Sequence, residues 1–440
     1  MPENSPNKYA ALLLLLHQPY RVTDTTQFEV NSLEELFAGK YNKAGFEASN
    51  QTIFERIAQN CYLPAGEFWV RYLEKNPEFR VNFTFSGTFL DQCEEYPRYG
   101  RQVIELYQRL AKTGQVGIAG ENYYHGVSHY YSWEEFARQI QEHRVRIKEL
   151  FGVWPTYFRN TEGQLNNEIV EFVRLMGFEA TGMAGLYRHL RPGELPVIKR
   201  IERPRFDREA ARAAVEQNER EYTPRYMAVA PLDRDLSATI FHLQRLNKIE
   251  EEFRQRIRRS DWGFHLLFND YEALGEHNSE DEDDVYAAME KFISIFQEEG
   301  IKFLGLEDIP EKADFEARPY HIPFDVATGN HNQDLESWRG NYFQEKAFVA
   351  LSYLHDAASK LYDLEDPEAK RLLKAYRRLT TSDHFYYLPD IPGEVGEVHL
   401  MFSPYNSQRD AYDSYLYALE FVQHEVQKYL AANQRRRKDD

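Results

Sequence analysis

The feature that most limits the fold is a recurring pair, a short apolar run followed by a stretch of helical periodicity. Apolar runs at 10–16, 80–85, 115–119, 156–159, 178–182, 226–230, 263–268 and 302–306 have the length of strands. Between them, 133–150, 164–176, 207–220, 238–258 and 284–298 read as helices, with Trp133, Phe136 and Ile140 as an example of the spacing. Parallel neighbours need a crossover of roughly a dozen residues or more, usually a helix, whereas hairpins need only a turn. The alternation therefore predicts an α/β fold on a parallel sheet. It leaves a barrel and a doubly wound sheet both open. No G-x-G-x-x-G follows the first run, which counts against a dinucleotide-binding sheet.

Ala10–Leu16 is the one candidate for a leader or a membrane segment. It falls short of the roughly 20 apolar residues a span needs, and no small-residue cleavage site precedes His17. The expectation is a soluble, cytoplasmic protein with no membrane partner. Charge bears on other partners: 53 Lys and Arg face 71 Asp and Glu, a net of −18. No basic surplus is available to displace counterions from phosphates, so no nucleic acid partner is expected. Cys61 and Cys93 cannot make a disulfide framework or a four-cysteine zinc site. Beyond 310 the pattern changes. Pro310, Pro319, Pro323 and Gly329 mark a long connection, and 341–362, 366–379 and 409–431 read as helices. The expected division is 1–310 and a helical C-terminal region, 311–440.

Polar clusters close several of the apolar runs: His17-Gln18-Pro19, Glu121-Asn122-Tyr123-Tyr124-His125, Arg159-Asn160-Thr161-Glu162 and Asn269-Asp270-Tyr271-Glu272. In a parallel barrel all strand C-termini open on one face, so clusters distant in sequence would converge there. Two carboxylates from different strands are the minimal apparatus for cleaving a glycosidic bond. Glu162 and Asp270 are the candidate pair. Asp270 and Glu272 stand two apart, which an extended backbone would place on one side. A second reading comes from His125 and His129, whose spacing of four can put two imidazoles on one metal. With an aspartate at the end of the first strand that would suggest a metal-dependent deacetylase, but that position holds His17-Gln18-Pro19.

In order along the chain, Leu16-His17-Gln18-Pro19-Tyr20, Tyr123-Tyr124-His125, Phe158-Arg159-Asn160-Thr161-Glu162, Asp270-Tyr271-Glu272-Ala273-Leu274-Gly275-Glu276-His277 and Trp338-Arg339-Gly340-Asn341 form a familiar series. The chain resembles glycoside hydrolase family 57, and within it the α-amylase group. The resemblance implies a seven-stranded (β/α) barrel over 1–310, incomplete relative to the eight-stranded form. It implies a helical C-terminal domain over 311–440 that packs on the barrel and edges the cleft. It also implies a retaining mechanism on α-1,4-glucosidic bonds of starch- or glycogen-like glucans. Glu162 matches the nucleophile and Asp270 the general acid/base. His17, Glu272 and Asp334 match positions that hydrogen-bond the sugar. Gln18, Arg159 and His277 lie in the matching motifs, and Trp338, Tyr124 and His125 would line the cleft. No metal and no organic cofactor follow from the match; the partner is an α-glucan polysaccharide or maltooligosaccharide. A 4-α-glucanotransferase would use the same residues, and a weakly active or inactive α-glucan-binding, amylase-like protein is a further alternative. The family's second region carries a glutamate where this chain has Gly117, which implies a missing carboxylate near the bound sugar.

Overall fold

The computed structural model describes residues 8–184, 199–200, 208–218, 222–260, 263–276, 284–312, 321–322, 325–328, 334–388 and 402–439. Its parallel strands are β1 (Tyr9–Leu16), β2 (Val81–Phe85), β3 (Val116–Ile118), β4 (Tyr157–Phe158), β5 (Ala180–Met183), β6 (Ala228–Pro231), β7 (Phe264–Asp270) and β8 (Lys302–Phe303); apart from them, Tyr41–Lys43 pairs antiparallel with Phe46–Ala48 in a hairpin that the sequence reading did not expect. One parallel sheet runs β7-β1-β2-β3, with β8 beside the start of β1. A second runs β4-β5-β6, parallel, with Lys199–Arg200 antiparallel on β6. Isolated parallel bridges, Gly120 with Phe158 and Leu232 with Leu266, join residues just past β3 and β6 to the other sheet. Through them the Gly120 N–H donates to the Tyr157 carbonyl at 2.8 Å, and the Asp233 N–H to the Leu266 carbonyl at 2.9 Å. The α/β fold and the parallel pairing expected from the sequence are present.

Most strand residues are buried because both faces of the sheets are covered. Ala11, Leu13, Ala119, Tyr157, Ala180, Ala228, Ala230, Phe264 and Leu266 form one core. Phe158, Met183 and Val229 point the other way, into a second core shared with Phe136, Ile140, Phe172 and Val173 of the flanking helices. Neighbours such as Tyr157 and Phe158 thus enter different cores, as the two-residue period of a strand requires. The helices start and stop on local signals. Ser132 caps α1 (Trp133–Phe151) by accepting from the Glu135 N–H at 3.1 Å, and Gly152 ends it in the left-handed region, φ 74°.

Departures from the expected elements have local causes. The helix expected at 164–176 begins at Asn167, because Asn166 caps it by accepting from the Ile169 N–H at 2.8 Å. The one expected at 238–258 is two, Arg234–Phe241 and Leu246–Arg259, divided by a turn over Leu243–Arg245. β8 stops at Phe303 rather than 306, since the Leu306 N–H turns to donate to Asn82 Oδ1 at 2.9 Å.

Packing divides the chain into two compact units. The first comprises 1–17, 55–123 and 132–328; the second comprises 18–54, 124–131 and 329–440. All the strands β1–β8 belong to the first. The second holds the helices Tyr342–Ala358, Pro367–Arg378 and Gln408–Asp439. It also draws in 18–54 and 124–131, which the sequence reading had assigned to the N-terminal domain. Among the described residues, no helix is long and apolar enough to cross a membrane.

Candidate active site

Parallel pairing puts the carboxyl ends of the strands on one edge of each sheet, and the polar clusters begin there. The β1–β7 register pairs Leu15 with Asp270, so Asp270 sits beside the end of β1, two residues before His17. His17 Nδ1 lies 2.8 Å from the hydroxyl of Ser86, the residue that follows β2. That hydroxyl also caps the helix Gly87–Glu95 by accepting from the Phe89 N–H at 3.2 Å. The imidazole is therefore tied to a fixed helix start rather than to a mobile loop.

After β3 comes Glu121, a fully buried carboxylate. The Thr84 hydroxyl donates to its Oε2 at 2.6 Å, and Arg159 Nη1, after β4, stands 3.8 Å from the same oxygen. The Glu121 N–H donates to His143 Nδ1 at 3.3 Å, while His143 Nε2 pairs with the Phe85 carbonyl at 2.7 Å. A carbonyl only accepts, so the imidazole proton is on Nε2. Burial pushes the His143 pKa down, against the pull of the Glu121 charge, which fits this neutral ring. The Arg159 guanidinium lies 4.5 Å from the centroid of the Phe268 ring on β7. This stack brings the end of β4, which leads to Glu162, against the end of β7, which leads to Asp270. Arg159 Nη1, Asn160 Oδ1 and Thr161 Oγ1 are buried with no hydrogen-bond partner among the described residues.

Glu162 sits half-buried in a turn over Thr161–Gly163, at φ 56° and ψ 21°. That is left-handed backbone, costing a non-glycine residue about 1–2 kcal/mol. Among the described residues, Ala44, His125 and Glu162 alone adopt positive φ without being glycine. Such backbone persists only where its surroundings fix it, and it collects at functional sites. Asp270 is exposed and ends β7. The strand stops there and Tyr271–Leu274 is a 3₁₀ turn, so the alternation expected to align Asp270 with Glu272 does not apply. Glu272 is instead buried and accepts a hydrogen bond from the hydroxyl of Tyr62, itself buried.

Gln18, Tyr124, His125, Asp334 and Trp338 belong to the second unit. There the Tyr124 carbonyl accepts from the Thr381 hydroxyl at 3.0 Å and the His125 carbonyl from the Ser382 N–H at 2.9 Å. Asp334 Oδ1 accepts from the Glu336 N–H at 3.0 Å, at the start of a short helix. Tyr124, His125 and Trp338 are at most 2% exposed, so their rings are packed in protein rather than open as stacking platforms. His277 lies outside the described residues. Among those described, no group of three or more His, Cys, Asp or Glu is placed to hold a metal ion, so the pair His125 and His129 gains no third ligand.

Gly117 is not at the strand ends. It pairs with Asn82, which pairs with Leu13, four residues before Glu121, Ser86 and His17 respectively, or about 13 Å at strand rise. A Cβ at 117 would stand 2.2 Å from Asn82 Oδ1. Glycine here makes room for the Asn82 amide, and the fully buried carboxylate at the end of this strand is Glu121. The sequence named Glu121 without assigning it a role. Its partners Thr84, His143 and Arg159 come from three other segments and left no local signal.

Comparison with known proteins agrees with the motifs. Residues 11–322 match the sequence profile described as Glycosyl hydrolase family 57. A Methanocaldococcus jannaschii protein, named provisionally as an alpha-amylase, is 25% identical over 96% of this chain and 87% of its own length. Among solved structures, the 4-alpha-glucanotransferase of Thermococcus litoralis superposes with a TM-score of 0.60 at 17% identity, covering 97% of this chain. This chain spans only 60% of that enzyme's length. The GH57-type branching enzyme of Pyrococcus horikoshii gives a TM-score of 0.62 at 12% identity, over 96% of this chain and 94% of that one. The alpha-amylase AmyC of Thermotoga maritima gives 0.55 at 11%, over 95% and 97%. At these identities the structures speak to the fold alone.

Proposed function

The chain belongs to glycosyl hydrolase family 57, and from that premise we propose that it cleaves α-1,4-glucosidic bonds of starch- or glycogen-like glucans with retention of configuration. Glu162 is the nucleophile and Asp270 the general acid/base. The observation that carries the assignment is the Arg159–Phe268 stack, which draws together the two strand ends bearing these carboxylates.

The Glu162 carboxylate attacks the anomeric carbon while Asp270 gives its proton to the departing glycosidic oxygen, leaving a glucosyl ester on Glu162. Asp270, now ionised, takes a proton from water as that water attacks the same carbon and releases Glu162. Retention calls for carboxyl groups about 5–5.5 Å apart. The environments suit the roles. A nucleophile must be held in place, and the backbone of Glu162 is bonded at its carbonyl by the N–H and hydroxyl of Thr328. An acid/base must exchange its proton, and Asp270 is exposed at its strand end. His17, at the end of β1 and held by Ser86, and Arg159, after β4 and backed by Glu121, are donors at strand ends as well. Closure of the two sheets into a seven-stranded parallel barrel, β1 to β7, is supported by the bridges Gly120–Phe158 and Leu232–Leu266.

The same intermediate can pass to a sugar hydroxyl, so 4-α-glucanotransfer is the second reading. It needs no residue beyond Glu162 and Asp270, only a different acceptor for the glucosyl group. Chromatography of maltoheptaose products, with Glu162→Gln in parallel, separates the two. Shorter sugars alone, absent from the variant, support the hydrolase. A ladder that includes longer sugars supports the transferase. Wild-type turnover by Glu162→Gln removes the nucleophile assignment.

A further inference from the structure

The turn that carries Glu162 is strapped by a segment far along the chain. Leu165 and Val326 exchange backbone hydrogen bonds, at 2.9 Å from the Leu165 N–H and 3.0 Å from the Val326 N–H. Asn166 Nδ2 donates to Asp325 Oδ1 at 2.7 Å, and the Ile322 N–H donates to Asn167 Oδ1 at 3.1 Å. Ile322 and Val326 are anchored in the helix-side core with Phe158 and Leu165. The strap ends on Thr328. Its N–H donates to the Glu162 carbonyl at 2.9 Å, and its hydroxyl donates to the same carbonyl at 2.7 Å. Its methyl faces the next residue: a Cβ added to Gly163, φ 61°, would stand 2.6 Å from Thr328 Cγ2.

Thr328 thus fits this backbone with both branches of its side chain, the hydroxyl on Glu162 and the methyl over Gly163. Two donors on one carbonyl fix the orientation of the peptide plane that follows the left-handed residue. Were that plane to rotate and φ return to negative values, the Cα–Cβ bond of Glu162 would swing with it and move the carboxylate. We propose that Thr328 is a positioning residue for catalysis, which holds Glu162 in the backbone geometry that aims its carboxylate at the anomeric carbon. The proposal rests on the reading of Glu162 as nucleophile.

The test pairs Thr328→Val, which keeps the volume and loses the hydroxyl, with Thr328→Ser, which keeps the hydroxyl and loses the methyl. Glu162→Gln is the reference. Steady-state kinetics on maltoheptaose should show Thr328→Val lowering kcat about ten- to a hundredfold, the scale of an ångström-sized misplacement, with KM little changed. Thr328→Ser should recover most of kcat. Urea unfolding of each variant separates a moved carboxylate from a poorly folded protein. Should Thr328→Val not fold, Gly163→Ala crowds the same contact. It should lower kcat in the same way, with part of the loss restored by adding Thr328→Ser. Wild-type kcat in folded Thr328→Val, or equal losses in Val and Ser, overturns the positioning role while an inactive Glu162→Gln keeps the nucleophile. Turnover by Glu162→Gln overturns both.

Discussion

Replacing Gly117 by alanine tests whether this position is a packing site or a lost contact to substrate. Family resemblance expects a glutamate here, so added side chain should help. The structure says the opposite. The Asn82 amide beside Gly117 donates to the Leu12 carbonyl at 3.0 Å and the Leu304 carbonyl at 3.1 Å, and accepts from the Leu306 N–H at 2.9 Å. A Cβ 2.2 Å from Asn82 Oδ1 cannot be accommodated unless that amide moves by about an ångström. Moving it gives up three buried hydrogen bonds worth about 1 kcal/mol each. Keeping it forces strained overpacking of about 1–3 kcal/mol. The chain takes the cheaper course, so Gly117→Ala should lose about 1–3 kcal/mol, read as a fall in the urea midpoint at unchanged slope.

A double-mutant cycle isolates the contact. Asn82→Ala alone should cost about as much, because it leaves the same groups unpaired. In that background the alanine at 117 has room, so the pair should show a coupling of about 2 kcal/mol. Gly117→Glu should be worse than Gly117→Ala, since Glu307 Oε2 already lies 3.2 Å from the Cβ position. It should bring no gain in turnover. Gly117→Ala with wild-type stability refutes the packing argument, and higher turnover in Gly117→Glu shows that the position reaches the sugar.

Tyr62→Phe removes a donor to the buried Glu272 carboxylate and should cost about 2 kcal/mol in urea unfolding; an unchanged midpoint shows that the bond contributes nothing. His384, fully buried and stacked on Tyr415 at 4.6 Å, has its pKa pushed down to about 4 by burial. The unfolded ring titrates near 6.5, so below that pH only the unfolded state takes up the proton and stability falls with pH, by about 3 kcal/mol between pH 7 and 4. His384→Asn should flatten this part of the pH dependence, and an unaltered slope assigns the loss to other groups.

What could be read in advance follows from the range of the forces involved. The parallel strands were legible because burial writes an apolar run, and even the three residues of β3 fell inside the expected 115–119; the hairpin Tyr41–Lys43 with Phe46–Ala48, in which only Ala48 is buried, left no such run. Candidate carboxylates were legible because strand ends in a parallel sheet collect on one edge. The make-up of the second unit was not legible, since what joins 18–54 to the C-terminal helices is long-range contact. The Tyr405 hydroxyl donating to the Val22 carbonyl at 3.0 Å is one such contact, and the Thr25 N–H donating to the Ser414 hydroxyl at 3.1 Å is another. No periodicity records a hydrogen bond between positions so far apart. The rings of Tyr124 and Trp338 looked like stacking platforms because residue type alone does not distinguish an open aromatic from a packed one.

Glu162 shows where legibility divides within a single residue. Its type and its place after β4 announce a candidate nucleophile. Its left-handed backbone is hinted at only by Gly163, and the Thr328 hydroxyl that braces it lies 166 residues away. Thr328 itself falls in a stretch that reads as a plain connection, rich in proline and without period. A local propensity cannot hold a glutamate at positive φ, because the unconstrained chain would leave that region at a gain of about 1–2 kcal/mol. The geometry must therefore be imposed from outside the motif. A chain that kept Phe158–Glu162 intact but lost the strap would still match the motif while its carboxylate pointed elsewhere.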